Sequence, residues 1–172
     1  VLERGATYYF ADGEYPSYVF DVTEEGDSVI TIKKATIADH GTDIGWDNSY
    51  GDGQAVFQPL LIYTGYWVID GSHRDSKNSG HGFKIVIPGD KEGIPENCIK
   101  VVGPTISTRV NNITIRYVEF TSAIGEYPQG KQYTVKNGYE HTNGGDNVYI
   151  GYCYFHHFTG TMQRTRQMTG FI

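Results

Sequence analysis

Leucine is nearly missing from this chain, with only Leu2, Leu60 and Leu61 among 172 residues. A helical core normally leans on leucine, so its absence argues against a helix bundle. No apolar run approaches the ~18 residues of a membrane-spanning helix. The lack of a Cys-x-x-Cys pair argues against a structural zinc site. The sequence also has no His-Glu-x-x-His, no nucleophile elbow and no glycine-rich phosphate loop. Basic residues number 14 against 20 acidic ones, giving a net charge of −6. That balance argues against a general nucleic-acid surface, which needs clustered Lys and Arg. The two cysteines, Cys98 and Cys153, allow one disulfide and require none; Cys153 reads as a small buried hydrophobe.

What the chain has instead is 22 Gly, 14 Tyr and many Val, Ile, Thr and Phe, the composition of strands and tight corners. In Asn112–Phe120 (NITIRYVEF) and Asn147–Phe155 (NVYIGYCYF) apolar residues fall at positions 0, +2, +5 and +7. These are Ile113, Ile115, Val118 and Phe120, then Val148, Ile150, Cys153 and Phe155. Ile30, Ile32, Ala35 and Ile37 repeat the spacing. A step of two is strand alternation, and a step of three between two such pairs is a corner that keeps one face inward. A helix would return at +3, +4 and +7. Each copy therefore reads as strand, bend and strand around a shared interior, one coil of a parallel β-helix. Trp67 and Ile69 fit the first two positions of a further coil, but Ser72 and Arg74 break it. Four to six coils are expected, with little helix.

The 1–172 segment reads as a single parallel β-helix domain. It is expected to be an incomplete portion of a longer solenoid, because Phe171-Ile172 opens a coil that nothing closes. The region 38–54 carries Asp39, Asp43, Asp47 and Asp52. It reads as a solvated loop, and calcium, which wants several such oxygens, is the candidate cofactor, although the spacing matches no known calcium loop. The segment 121–146, rich in Gly and Tyr, is the largest excursion between clear copies.

If 0 and +2 face inward, the outward columns follow. Position +3 collects Lys33, Asp70, Arg116 and Gly151; +4 collects Lys34, Tyr117 and Tyr152; +6 collects Thr36, Glu119 and Tyr154. Neighbouring coils lie about 4.8 Å apart, so Tyr117 over Tyr152 makes an exposed aromatic ladder. Tyr117, Glu119, Tyr152 and Tyr154 are the candidate carbohydrate-binding residues, since rings stack on pyranose faces while charged groups grip hydroxyls or carboxylates. The alternative is cross-strand packing that only stabilises the sheet, with Arg116 and Glu119 as a surface ion pair. Glu140-His141, in what reads as a Gly-rich loop, is the candidate acid–base pair. His141 and His156-His157 are also the candidate metal ligands, without a supporting spacing.

At NITIRYVEF, NVYIGYCYF and GYWVIDG the chain resembles the right-handed parallel β-helix superfamily, the pectate-lyase-like fold, from about Thr7 to the C-terminus. The opening ATYYFADGEY resembles the first coil of secreted members. The resemblance implies an all-β right-handed solenoid found outside the cell or at its surface. The superfamily includes polysaccharide lyases, hydrolases, esterases, tailspikes and adhesins. Its lyases often use calcium or a basic residue to neutralise a uronate carboxylate, with Lys or Arg removing the α-proton. On that analogy Arg116, Lys131, Glu140 and His141 form the candidate catalytic set. Ser79-Gly80-His81-Gly82 echoes a turn of the polygalacturonase-type hydrolases, but the chain has no Asp-Asp pair, which removes that branch. Two functions are therefore expected. One is a carbohydrate-binding or carbohydrate-processing domain, lyase-like, whose partner is a polysaccharide. The other is a non-catalytic structural or adhesive surface or fibre protein that self-assembles through coil ends or strand edges.

Overall fold

The computed structural model describes residues 1–88, 97–105, 108–123 and 137–158, and the backbone of 163–165. The strands follow one another around a triangular path. The first coil is β1 (Thr7–Phe10), β2 (Gly13–Tyr15) and β3 (Tyr18–Phe20). The second is β4 (Ile30–Lys34), β5 (Ala55–Phe57) and β6 (Leu60–Ile62), and the third is β7 (Trp67–Asp70), β8 (Phe83–Ile87) and β9 (Asn97–Val102). The fourth is β10 (Ile113–Arg116), β11 (Val118–Ser122) and β12 (Asn137–Thr142). The fifth is β13 (Val148–Gly151), β14 (Tyr154–His156) and β15 (Gln163–Thr165).

Strands of like position pair in parallel, giving three five-stranded sheets. Sheet A is β1-β4-β7-β10-β13, sheet B is β2-β5-β8-β11-β14, and sheet C is β3-β6-β9-β12-β15. The described residues form an all-β parallel solenoid of five coils. Among the described residues the only helical piece is a 3₁₀ turn at Asn48–Tyr50.

The interior is built from ladders, because strict pairing stacks each inward residue on its counterpart one coil away. Sheet A contributes Ile30, Trp67, Ile113 and Val148, and beside them Ile32, Ile69, Ile115 and Ile150. Sheet B contributes Phe57, Ile85, Phe120 and Phe155, the last two rings parallel at 4.4 Å. Sheet C contributes Leu60, Ile99 and Tyr139, then Ile62, Val101 and His141. β-Branched and aromatic side chains fill such a pleated, two-sided interior well, which is why the chain manages with so little leucine.

Two expectations need correction. Ala35 and Ile37 do not supply the second strand of their coil. That place belongs to Ala55 and Phe57, which pair with Phe83 and Ile85, while Ile37 is exposed. The 35–54 loop is inserted at the corner between sheets A and B, and 71–82 is inserted at the same corner one coil later. The first, fourth and fifth coils turn that corner within one or two residues. For the same reason Val56, not Thr36, occupies the outward column with Lys84, Glu119 and Tyr154.

Lys34, expected outside, is fully buried. The inserted 35–54 loop covers it, and its ammonium meets Asp12 Oδ1 at 2.6 Å and the Ala35 carbonyl. The corner is packed backbone against backbone. A Cβ on Gly71 would lie 2.0 Å from the Tyr117 carbonyl oxygen, and one on Gly82 would lie 2.0 Å from that of Gly71.

Candidate functional site

The corner between sheets A and B gathers most of the chemistry. On the outer face of sheet A the register aligns Tyr9, Lys33, Asp70, Arg116 and Gly151 in one column. Charges of alternating sign stand one coil apart, and the 35–54 loop rises beside them. Between loop and sheet lies a groove of about 680 Å³, lined by Lys33, Asp39, Asp70, His73, Arg116 and Tyr117 among others.

Arg116 donates from Nη2 to Asp70 Oδ2 at 2.8 Å, and its side chain stays 45 % exposed while that of Asp70 is 5 % exposed. The Asp70 hydrogen bond moves the guanidinium pKa further up. Lys33 is paired with Asp39. That contact raises the ammonium pKa and, with the Tyr9 hydroxyl, lowers the Asp39 carboxyl. Both cations are thus held charged, each beside a carboxylate.

The floor continues around the corner as the expected aromatic ladder. Tyr117 and Tyr152 stack at 5.0 Å with planes 8° apart, and the Arg74 guanidinium sits 5.1 Å from the Tyr152 ring centre. Both tyrosines turn the corner with φ of 56°.

On the adjoining face, sheet B, Glu119 is the hub. Its Oε1 accepts from Lys84 Nζ at 2.7 Å and faces His156 Nε2 at 3.1 Å, and its Oε2 accepts from Gln54 Nε2 at 3.1 Å. Burial works against its charge, but these three contacts outweigh it and hold the carboxyl below its usual range. Tyr154 is its register neighbour, with the ring stacked on His156 at 4.4 Å. The expected Arg116–Glu119 ion pair does not form, because the two residues answer to Asp70 and Lys84 on different sheets.

Among the described residues, Arg116 is not brought together with Glu140 and His141. Arg116 lies in the sheet A groove. Glu140 and His141 are successive residues of β12 in sheet C and point to opposite faces, as strand neighbours must. His141 is fully buried in the core, with Nδ1 3.0 Å from the Tyr139 hydroxyl. Burial lowers its pKa to about 4. Proton transfer needs hydrogen-bond reach, so Glu140 and His141 do not form an acid–base pair. Lys131 lies outside the described residues.

The loop carboxylates also serve separate ends: Asp39 is on Lys33, Asp47 caps the 3₁₀ turn through Ser49, and Asp43 faces His40 at 3.6 Å. Among the described residues no group of three or more His, Cys, Asp or Glu side chains is arranged to hold a metal ion. Sequence reasoning missed Lys84 and Gln54 altogether. Lys84 could have been found from the alternation of Phe83, Ile85 and Ile87, which leaves it outward; Gln54 ends an irregular loop and left no signal. Comparison of the chain with protein-family models, curated proteins and solved structures returns no match.

Proposed function

We propose that this chain is an extracellular, pectate-lyase-like β-helix that binds polysaccharide along the corner groove. The observation that carries this reading is the groove of paired charges running into the Tyr117–Tyr152 platform. Partly exposed Arg116 and Lys33 are suited to hydroxyls or a uronate carboxylate, the exposed carboxylate of Asp39 accepts from hydroxyls while buried Asp70 holds Arg116 in place, and the tyrosine faces take the apolar side of a pyranose. The cations in this groove supply charge and not a base, because each is stabilised in its protonated form. Removal of an α-proton needs a basic group poised near the operating pH. Binding is therefore the better supported activity, and lyase chemistry is the stronger claim on the same surface.

The test is binding of polygalacturonate, alginate and neutral glucans by the chain and its Arg116→Ala and Tyr152→Ala variants. A lost charge-assisted contact is worth about 1.5–3 kcal/mol, so Arg116→Ala should weaken uronate binding about ten- to a hundred-fold. Equal affinity of the parent and both variants would refute the site. Growth of absorbance from unsaturated products would add lyase activity.

A second reading, a structural or adhesive protein, is favoured by the first coil. Tyr18 and Val19 are exposed on β3, and β1, β2 and β3 are all edge strands, which can pair with another chain. Concentration-dependent assembly without glycan binding would select it.

A further inference from the structure

At the end of β14 the chain places two imidazoles together in a way that a strand does not. Successive strand residues point to opposite faces, yet His156 Nδ1 and His157 Nδ1 face each other at 2.7 Å. The cause is the backbone of His157, whose φ of 58° turns its side chain back onto the side of His156. A second feature bears on the same atoms. His156 Nε2 is 3.1 Å from Glu119 Oε1, and Glu119 is itself fixed by Lys84 and Gln54. A carboxylate oxygen at Nε2 is placed to accept the proton of that nitrogen, which leaves Nδ1, on the side of His157, as the lone-pair nitrogen. Thr121 Oγ1 lies 3.3 Å from the same Nδ1, and His157 is exposed.

The geometry points to a two-nitrogen chelate for a late first-row divalent ion, Cu²⁺, Ni²⁺ or Zn²⁺, formed by His156 and His157 with Glu119 as the outer partner of His156. Imidazole suits these ions, whereas Ca²⁺ and Mg²⁺ prefer oxygen. Metal–nitrogen bonds of about 2.0–2.1 Å require the two nitrogens to open to roughly 3 Å, a small movement for an exposed ring. Glu119 does not itself ligate, because Oε1 is taken by Lys84 and by His156 Nε2; water and the Thr121 hydroxyl complete the shell. The site is separate from the glycan groove and does not depend on it.

The experiment titrates Cu²⁺ and Zn²⁺ alone into the full chain by calorimetry, with nitrogen coupling read from the Cu²⁺ electron paramagnetic resonance spectrum. One equivalent should bind, with two coupled imidazoles and no competition from Ca²⁺. His157→Ala, on an exposed side chain, should abolish this uptake, and His40→Ala should leave it unchanged. Loss of an outer carboxylate typically costs ten- to a hundred-fold in affinity, so Glu119→Gln should weaken binding by that factor. Equal uptake by the parent chain and His157→Ala would overturn the proposal and leave only an Nδ1–H···Nδ1 hydrogen bond. Unchanged affinity in folded Glu119→Gln would remove Glu119 from it.

Discussion

His141 should make the stability of this protein depend on pH in a predictable window. The ring is buried beneath Val101 and Ile62 in the sheet C ladder, and burial lowers its pKa from 6.5 to about 4. The unfolded chain therefore binds a proton between these values that the folded chain refuses. Stability rises with pH wherever the unfolded state holds more protons. The neutral ring carries no penalty above about pH 6.5; the penalty grows as pH falls and is complete below about pH 4. One pH unit is worth about 1.36 kcal/mol, so going from pH 7.5 to 4.5 should cost about 2.5 kcal/mol through this residue. Glutamine at 141 keeps a partner for the Tyr139 hydroxyl without titrating. Guanidinium unfolding of the parent chain and His141→Gln at both pH values separates the contribution, since others, such as that of His81, also lowered by burial, are common to both. The loss on acidification should be about 2.5 kcal/mol larger in the parent. A difference below about 0.5 kcal/mol, the scatter expected of an inconsequential substitution, would show that His141 is not held neutral in the core.

Further outcomes follow from the corner and the thiols. Lys34→Ala leaves Asp12 without its cation and should destabilise the fold by about 3 kcal/mol in chemical denaturation, as expected for a broken buried pair. Gly71→Ala drives a methyl to 2.0 Å from the Tyr117 carbonyl oxygen and should lower the melting temperature sharply or prevent folding. Gly45→Ala, with no atom within 4 Å, should cost only what its φ of 71° imposes. Burial raises both thiols, that of Cys153 to about 12. Neither should react with Ellman's reagent in the native state at about pH 8, and both should after unfolding.

The interior was legible because it repeats. Ile113 over Val148 and Ile115 over Ile150 share a spacing set by the pleat, and any residue out of phase would lose its burial. The same logic placed Arg116, Tyr117 and Glu119 outward. It failed where the chain leaves the pleat. Ala35 and Ile37 mimic the second half of a coil, and nothing local distinguishes a corner from the start of an insertion that returns at Ala55. His141 misled for the opposite reason: a polar residue among glycines reads as loop, yet Tyr139-Glu140-His141 is a strand whose alternation buries the histidine and turns the glutamate outward. The partners of Glu119 come from β8, β14 and a loop before β5, three separate stretches that become neighbours only through the register of sheet B.

The choice of residue at the corners has an energetic cost that stacking offsets. A left-handed backbone costs an ordinary residue roughly 1–2 kcal/mol, and Gly or Asn adopts it most cheaply. At the corner between sheets C and A the chain follows that economy with Asn112 and Asn147, whose side chains also bond to each other, but Tyr66 takes the same place before β7 with φ of 61°. At the corner between A and B it does not: Tyr117 and Tyr152 hold the same strained φ, and Tyr152 is about half exposed. Stacking with one neighbour returns about 0.5–1.5 kcal/mol, roughly what the strain costs, so the pair gains little for the fold itself. Because Tyr66 holds the same φ away from the groove, the strained backbone alone does not mark a ligand surface; what sets Tyr117 and Tyr152 apart is that their rings stack on each other beside the charged groove.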